Sequence, residues 1–199
     1  MILTDDHFVF SSWRHGREYV RKDAILAYPS DASRLANFIA QRFANDEIDI
    51  VMGPAVAGSI TSNRVAEHLS MWKGKEVLAT YADRYGKDFV IRSYYGQMIP
   101  KHRVLIVDDT VNTSETVMRL IEQVRKLGGN VIGVGAICNR GSTTHRNLGV
   151  PKFEALIALD NFETWDENTC PMCKNNERPV NPHYGRGREF LARKQKQAS

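Results

Sequence analysis

Between Arg103 and Thr116 the chain reads Arg103-Val104-Leu105-Ile106-Val107-Asp108-Asp109-Thr110-Val111-Asn112-Thr113-Ser114-Glu115-Thr116. Its apolar part, Val104 to Val107, is short and largely β-branched, the pattern of a strand buried on both faces. Two carboxylates stand where that strand is expected to end, followed by small hydroxyl and amide side chains. Val117, Leu120, Ile121, Val124 and Leu127 then recur at helical spacing, and Gly128-Gly129 marks the stop. A buried strand feeding an amphipathic helix predicts chemistry at the junction. Free backbone N–H groups and the positive end of the helix dipole suit a phosphate. Asp108 and Asp109 can accept hydrogen bonds from ribose hydroxyls or help hold Mg²⁺.

The rest of the chain repeats this strand-to-helix pattern. Asp31 is placed to cap a helix running to about residue 45, with Leu35, Phe38, Ile39 and Phe43 on its apolar face. Ile48, Ile50 and Val51 read as a buried strand, which runs into the turn Gly53-Pro54-Ala55-Val56-Ala57-Gly58 before a helix over 60–69. Glycine at each end of such a turn lets backbone N–H groups approach an anion closely. The turn lacks the Gly-Lys-Ser/Thr of a Walker loop, which disfavours nucleotide hydrolysis of that class. Further strands are expected over 76–82, 89–91, 131–137 and 153–159, and residues 1–28 are irregular with hints of short strands. Alternating strands and helices imply parallel pairing, right-handed crossovers and a crevice at the C-terminal strand ends. Arg140 follows the strand over 131–137 and so shares an edge with Asp108, Asp109 and the 53–58 turn. A guanidinium there can hold a carboxylate bidentately; a surface salt bridge is the alternative.

These features resemble the type I phosphoribosyltransferases, whose phosphoribosyl-diphosphate (PRPP) motif is an apolar strand, an acidic pair and a Thr-Gly-x-Thr-like turn. The resemblance covers most of the chain and points to the orotate phosphoribosyltransferases and their relatives. Asn112 stands where the orotate enzymes usually carry Thr. Ser114-Glu115 replaces a Gly-rich pair, and Ser114 is the awkward member if its position must take φ > 0. The resemblance implies an α/β fold: a twisted, mostly parallel sheet flanked by helices. Residues 1–30 would form a hood over the active site, 31–160 the α/β core, and 161–199 a C-terminal extension.

The same resemblance implies an activity: transfer of 5-phosphoribosyl from PRPP to orotate, giving orotidine 5′-phosphate and pyrophosphate. Mg²⁺ would arrive mainly on PRPP, with Asp108 and Asp109 nearby. Thr110, Val111, Asn112, Thr113, Ser114, Glu115 and Thr116 would hold the 5′-phosphate. Pro54, Ala55, Val56, Ala57 and Gly58 would hold the pyrophosphate. The polar break at 83–88 falls where the family has its mobile catalytic loop. Arg84 and Lys87 sit on two of its lysine positions, and Asp83 and Phe89 replace its Arg and His. Arg92 or Lys101 would then share the pyrophosphate charge. Arg140, Asn112 and His15 would face the base, His15 standing at the lysine of a Gly-Arg-Lys-Ser-like segment. The family is typically dimeric, so a homodimer is implied.

Charge and cysteine usage narrow the partners. The formal net charge is +4 across 199 residues. All of it resides in residues 183–199, where Arg186, Arg188, Arg193, Lys194 and Lys196 face Glu189 alone. A solvated basic tail is therefore expected, not a nucleic-acid surface. No apolar run approaches the roughly 20 residues needed to span a bilayer, and no secretory signal is visible. Three cysteines are too few for a disulfide scaffold, so a reducing, cytoplasmic home is expected. Cys170 and Cys173 form one Cys-x-x-Cys, and with His183 they offer three zinc ligands against the four of a structural site.

Three rival functions stay in view: another pyrimidine or a purine as acceptor, a PRPP-binding regulator with little turnover, and a phospho-receiver module. The last would need a strand-end Asp, for which Asp160 is the candidate. It would also need a later strand-end Lys, and Lys194 and Lys196 lie in the polar tail.

Overall fold

The two ends of the chain fold together, and the stretch between them forms a second unit. The computed structural model describes residues 2–10, 12–21, 24, 26–86, 88–112, 114–159 and 163–198. Lys87, Thr113 and Asp160, each singled out above, lie outside the described residues. One unit comprises Met1–Ala24 with Asn161–Ser199, the other Ile25–Asp160. The N-terminal segment and the C-terminal extension, expected as separate parts, are thus one body.

That terminal unit begins with four short strands: β1 (Ile2–Leu3), β2 (His7–Val9), β3 (His15–Gly16) and β4 (Tyr19–Val20). β1 pairs with β4 and β2 with β3, both antiparallel.

The central unit starts with α1 (Pro29–Arg42). Pro29, with its pre-set φ, opens the helix, and Tyr28 occupies the cap position. Asp31, expected as the cap, lies inside the first turn, where its carboxylate meets the helix dipole instead. Phe38, expected in the core, is 44% exposed; Ala36, Ile39 and Ala40 form the buried stripe. There follow β5 (Ile50–Pro54), α2 (Ala57–Lys73), β6 (Leu78–Tyr85), β7 (Asp88–Val90), α3 (Ser93–Met98), β8 (Arg103–Val111), α4 (Glu115–Lys126), β9 (Asn130–Asn139), α5 (His145–Leu148) and β10 (Phe153–Ala158). The sheet order is β10-β9-β8-β5-β6-β7, parallel throughout except for β7 at the edge.

Strand alternation divides the core between the two faces of this sheet. Val104 and Ile106 of β8, with Ile50 and Met52 of β5, pack against Val117, Leu120, Ile121 and Val124 of α4. Leu105, Val107 and Val51 point the other way, onto Ile39 and Phe43 and the α2 residues Val65 and Leu69. Val104 through Val107 are fully buried, each contributing about 1.5–3 kcal/mol of apolar transfer. β8 outruns its expected end. β9 pairs with it as far as Val111↔Asn139, so Asp108 and Asp109 are held inside a hydrogen-bonded strand. At the other end of β8, Arg103 donates from Nε and Nη2 to the Asp49 carboxylate at 2.8 and 2.7 Å, and from its backbone N–H at 3.0 Å. That clamp pins β8 beside β5.

The chain returns to the terminal unit through α6 (Pro171–Lys174), β11 (Val180–Gly185) and α7 (Gly187–Ala198). β11 pairs parallel with β2, so strands from both chain ends share one sheet. The expected solvated tail is the helix α7. Its Phe190 is buried, and the guanidinium groups of Arg186 and Arg193 lie 4.9 and 5.0 Å from the Trp13 ring centroid. Arg193 and Lys194 both pair with Glu167. Arg186, Arg193 and Lys194, three of the tail's five cationic side chains, are thereby engaged within the unit. Among the described residues, no helix is long and apolar enough to cross a membrane.

Candidate active site

The strand order reverses direction once. From β5 the chain passes to β6 on one side, then returns to β8 on the other and proceeds to β9 and β10. Loops leaving β5 and β8 must therefore diverge to opposite faces, and the gap between their C-terminal ends is where open α/β sheets bind ligands. Both phosphate-type turns recognised in the sequence open on this gap.

The first joins β5 to α2. A Cβ added at Gly53 would lie 2.1 Å from the Gly58 carbonyl oxygen, and one at Gly58 would lie 2.4 Å from Pro54 Cδ. Only two glycines allow the backbone to close on itself this tightly. The peptide between Ala55 and Val56 is cis, and the Ala55 N–H donates to the Ala82 carbonyl at 2.9 Å, tying the turn to β6. Val56 is 76% exposed and caps α2 without a side-chain hydrogen bond. An apolar cap residue leaves the first N–H groups of the helix without a bond from its side chain, the arrangement that suits an anion.

The second turn joins β8 to α4. Asp108 and Asp109 are both buried, at 6% and 4% exposure, and the Asp109 N–H donates to Asp108 Oδ1 at 2.8 Å. Ser114 caps α4 with φ 61° and ψ −13°, in the left-handed region, and makes no side-chain cap bond. The sequence concern about Ser114 was well placed: this position does take positive φ. Its hydroxyl pairs with Thr143 Oγ1 at 2.6 Å. Glu115, in the first turn of α4, pairs with Arg119, which also reaches Asp88 at 2.8 Å.

A third loop, leaving β9, runs alongside the second. The Arg140 N–H donates to the Val111 carbonyl at 2.8 Å. Gly141 is so near that a Cβ there would sit 2.8 Å from the Asn112 carbonyl oxygen. Asn139 braces the loop from inside, donating to the Thr143 carbonyl at 3.0 Å and accepting from the Gly141 N–H at 3.3 Å. Sequence reasoning missed Asn139 and Thr143; their polar side chains at a buried strand end were the available signal. Burial pushes the Cys138 thiol up, against the opposing pull of Arg140, so this cysteine is a poor nucleophile.

The structure thus gathers the 53–58 turn, Asp108, Asp109, Thr110, Val111, Asn112, Ser114, Glu115, Thr116 and Arg140 at one sheet edge. Arg84 stands two residues beyond Ala82, the β6 partner of Pro54, at the same C-terminal edge of the sheet. The 83–88 segment is a hairpin in which Asp83 pairs with Val90 and Tyr85 with Asp88, turning at Gly86, whose φ is +61°. Arg84 is exposed, with its guanidinium 5.1 Å from the Phe89 ring centroid. Arg92 is held by Asp83 at 2.7 Å. Lys101 precedes β8 and so lies at the opposite edge of the sheet.

His15 is fully buried in the terminal unit, with Nδ1 2.8 Å from His7 Nε2 and 3.4 Å from Cys173 Sγ. Burial, with His7 beside it, pushes its pKa down to about 4. His183, expected beside Cys170 and Cys173, is exposed on β11.

Comparison with known proteins agrees with this geometry. The family model for the phosphoribosyl transferase domain matches residues 22–168. The orotate phosphoribosyltransferase of Caldanaerobacter subterraneus is 36% identical over 182 residues, which cover 91% of this chain and 90% of that one. The Thermotoga maritima enzyme of the same name is 31% identical over 173 residues, 86% of this chain and 87% of that one. Among solved structures, orotate phosphoribosyltransferase from Aeropyrum pernix is similar with a TM-score of 0.63 at 24% identity, over 79% of this chain and 88% of that one. The Mycobacterium tuberculosis enzyme in complex with PRPP gives 0.58 at 16% identity, over 71% and 81%. At those identities the structural likeness speaks for the fold, while the sequence matches, running nearly end to end, carry the relationship. On that ground the chain belongs to the phosphoribosyltransferase family.

Proposed function

We propose that this protein transfers the 5-phosphoribosyl group of PRPP to orotate, forming orotidine 5′-phosphate and releasing pyrophosphate. The observation that carries the reading is the pair of glycine- and hydroxyl-rich helix N-termini facing each other across the switch point, with two buried carboxylates beside them. PRPP has that shape: a phosphate at one end, a diphosphate at the other, and ribose hydroxyls between. The first amides of α4 would hold the 5′-phosphate and those of α2 the diphosphate, fixing the anomeric carbon toward the base. Asp108 and Asp109 would accept from the ribose hydroxyls and support positive charge on the sugar as the bond to pyrophosphate breaks. Buried carboxylates beside a hydroxyl are hard oxygen donors, which fit Mg²⁺ brought in on PRPP. That ion would neutralise charge on the departing pyrophosphate.

Orotate is favoured over other bases by the relatives of that name and by Arg140, a cation at the same edge that suits the substrate's carboxylate. Orotate's acidic ring nitrogen attacks as an anion, so no dedicated general base is needed. Exposed Tyr85, Val90 and Tyr94 near the β6–β7 hairpin give a second copy apolar surface to meet, in keeping with a homodimer. All three cysteines are free, which fits a reducing compartment. Arg84, packed on Phe89, favours a second reading: a PRPP-binding protein with little turnover. Mixing Mg-PRPP with orotate and following pyrophosphate and orotidine 5′-phosphate decides between them. Product supports the enzyme; tight PRPP binding with no product from any base supports the sensor.

A further inference from the structure

One apolar cluster of the terminal unit is small: Val9, Val180 and Phe190, with Cys173 and Leu191 packed against them. Beside it stands a polar cluster: His7, His15, Cys170 and Cys173, each offering one ligand atom, all within 4.8 Å of one another. Three of the four are buried and Cys173 is half-buried. Cys170 Sγ and Cys173 Sγ lie 3.6 and 3.7 Å from His7 Nε2, and Cys173 Sγ lies 3.4 Å from His15 Nδ1. With Zn–S of about 2.3 Å and Zn–N of about 2.0–2.1 Å, a tetrahedral site has S···N edges of about 3.6 Å and N···N edges of about 3.3 Å. The three sulfur–nitrogen edges given above already match. The His7–His15 edge, 2.8 Å, need open by only about half an ångström.

The outer shell fits as well. His7 Nδ1 lies 3.0 Å from the Arg178 carbonyl. Donation there fixes the tautomer that turns the Nε2 lone pair inward, as metal-bound imidazoles do. Among the described residues no carboxylate joins the cluster, and an N₂S₂ donor set without oxygen selects zinc over magnesium or calcium.

We propose that His7, His15, Cys170 and Cys173 bind one structural zinc ion, distinct from the sugar-phosphate site. Ligands from the two chain ends, 163 residues apart between His7 and Cys170, would be joined through the metal. That link adds to the cohesion of a unit built from short strands and small helices.

The test uses the full chain purified without added metal. Zinc measured by mass spectrometry is expected at about one per chain and to survive dialysis. His15→Gln and Cys173→Ser should lower it at least about tenfold. His183→Ala should leave it unchanged, because that residue is outside the cluster. Exchange for Co²⁺ in the wild-type protein should give the intense ligand-field bands of a tetrahedral ion and a thiolate charge-transfer band, a readout independent of whether any variant folds. Wild-type protein that takes up no zinc when offered an excess would overturn the proposal. So would an octahedral, oxygen-type cobalt spectrum, or a Cys170–Cys173 disulfide in freshly prepared protein.

Discussion

Ser114 offers a quantitative check on the phosphate turn. It occupies φ 61°, where an L-residue with a Cβ is disfavoured. The left-handed conformation costs roughly 1–2 kcal/mol, and glycine forfeits about 0.4–1 kcal/mol of that advantage through its freer unfolded chain. Ser114 recovers part of the cost through its 2.6 Å bond to Thr143, worth about 0.5–1.5 kcal/mol. Ser114→Ala removes the bond and keeps the backbone penalty, whereas Ser114→Gly removes both. The glycine variant should therefore be more stable than the alanine variant by about 1 kcal/mol, a shift of about 2–4 °C in melting temperature for a chain of this size. Wild type should fall between them or level with the glycine variant. Parallel thermal and urea unfolding of the three proteins would measure this. An alanine variant as stable as the glycine variant would refute the strain argument.

Other consequences follow from the same geometry. Gly58→Ala places a methyl 2.4 Å from Pro54 Cδ, so the first turn must open; PRPP affinity should fall at least about tenfold by calorimetric titration. Arg140→Ala should raise the KM for orotate by about 10–100-fold while leaving PRPP binding within about twofold, a split visible in steady-state kinetics. The Asp49 carboxyl is held well below the usual carboxylate range, chiefly by hydrogen bonds from the Arg103 side chain. Its folded-state pKa is depressed, so its stabilising contribution is complete above the unfolded value of about 4 and is lost as pH falls below it. Urea midpoints should decline below about pH 4 in wild type and decline less steeply in Asp49→Asn.

What the sequence revealed is what local pattern controls. The four-residue run of β8 and the α4 stripe are set by periodicities of two and 3.6, and the glycines at 53 and 58 mark a turn that no larger residue could make. What it concealed depends on distant partners. β8 continues through Asp108 and Asp109 because β9 is there to pair with it, a fact no local window holds. α7 looks like a solvated tail because its apolar content is chiefly Phe190 and Leu191, and its order draws on Trp13 and Glu167. His7 and His15 sit at the far end of the chain from Cys170 and Cys173, so a count of ligands near the Cys-x-x-Cys reached three. His7 and His15, which open the second and third strands, were the signal for the two ligands that His183 does not supply. The hairpin at 83–88 carries charged residues that suit a surface turn and a loop over the site alike.

Phosphoribosyl transfer at this site requires Asp108 and Asp109 to serve the sugar of PRPP. The direct measurement is the turnover of Mg-PRPP with orotate by Asp108→Asn/Asp109→Asn, a substitution that keeps side-chain size and removes both negative charges. Loss of at least about a thousandfold in kcat/KM, with thermal stability retained, is the expected result. Wild-type turnover by the double variant would contradict the account.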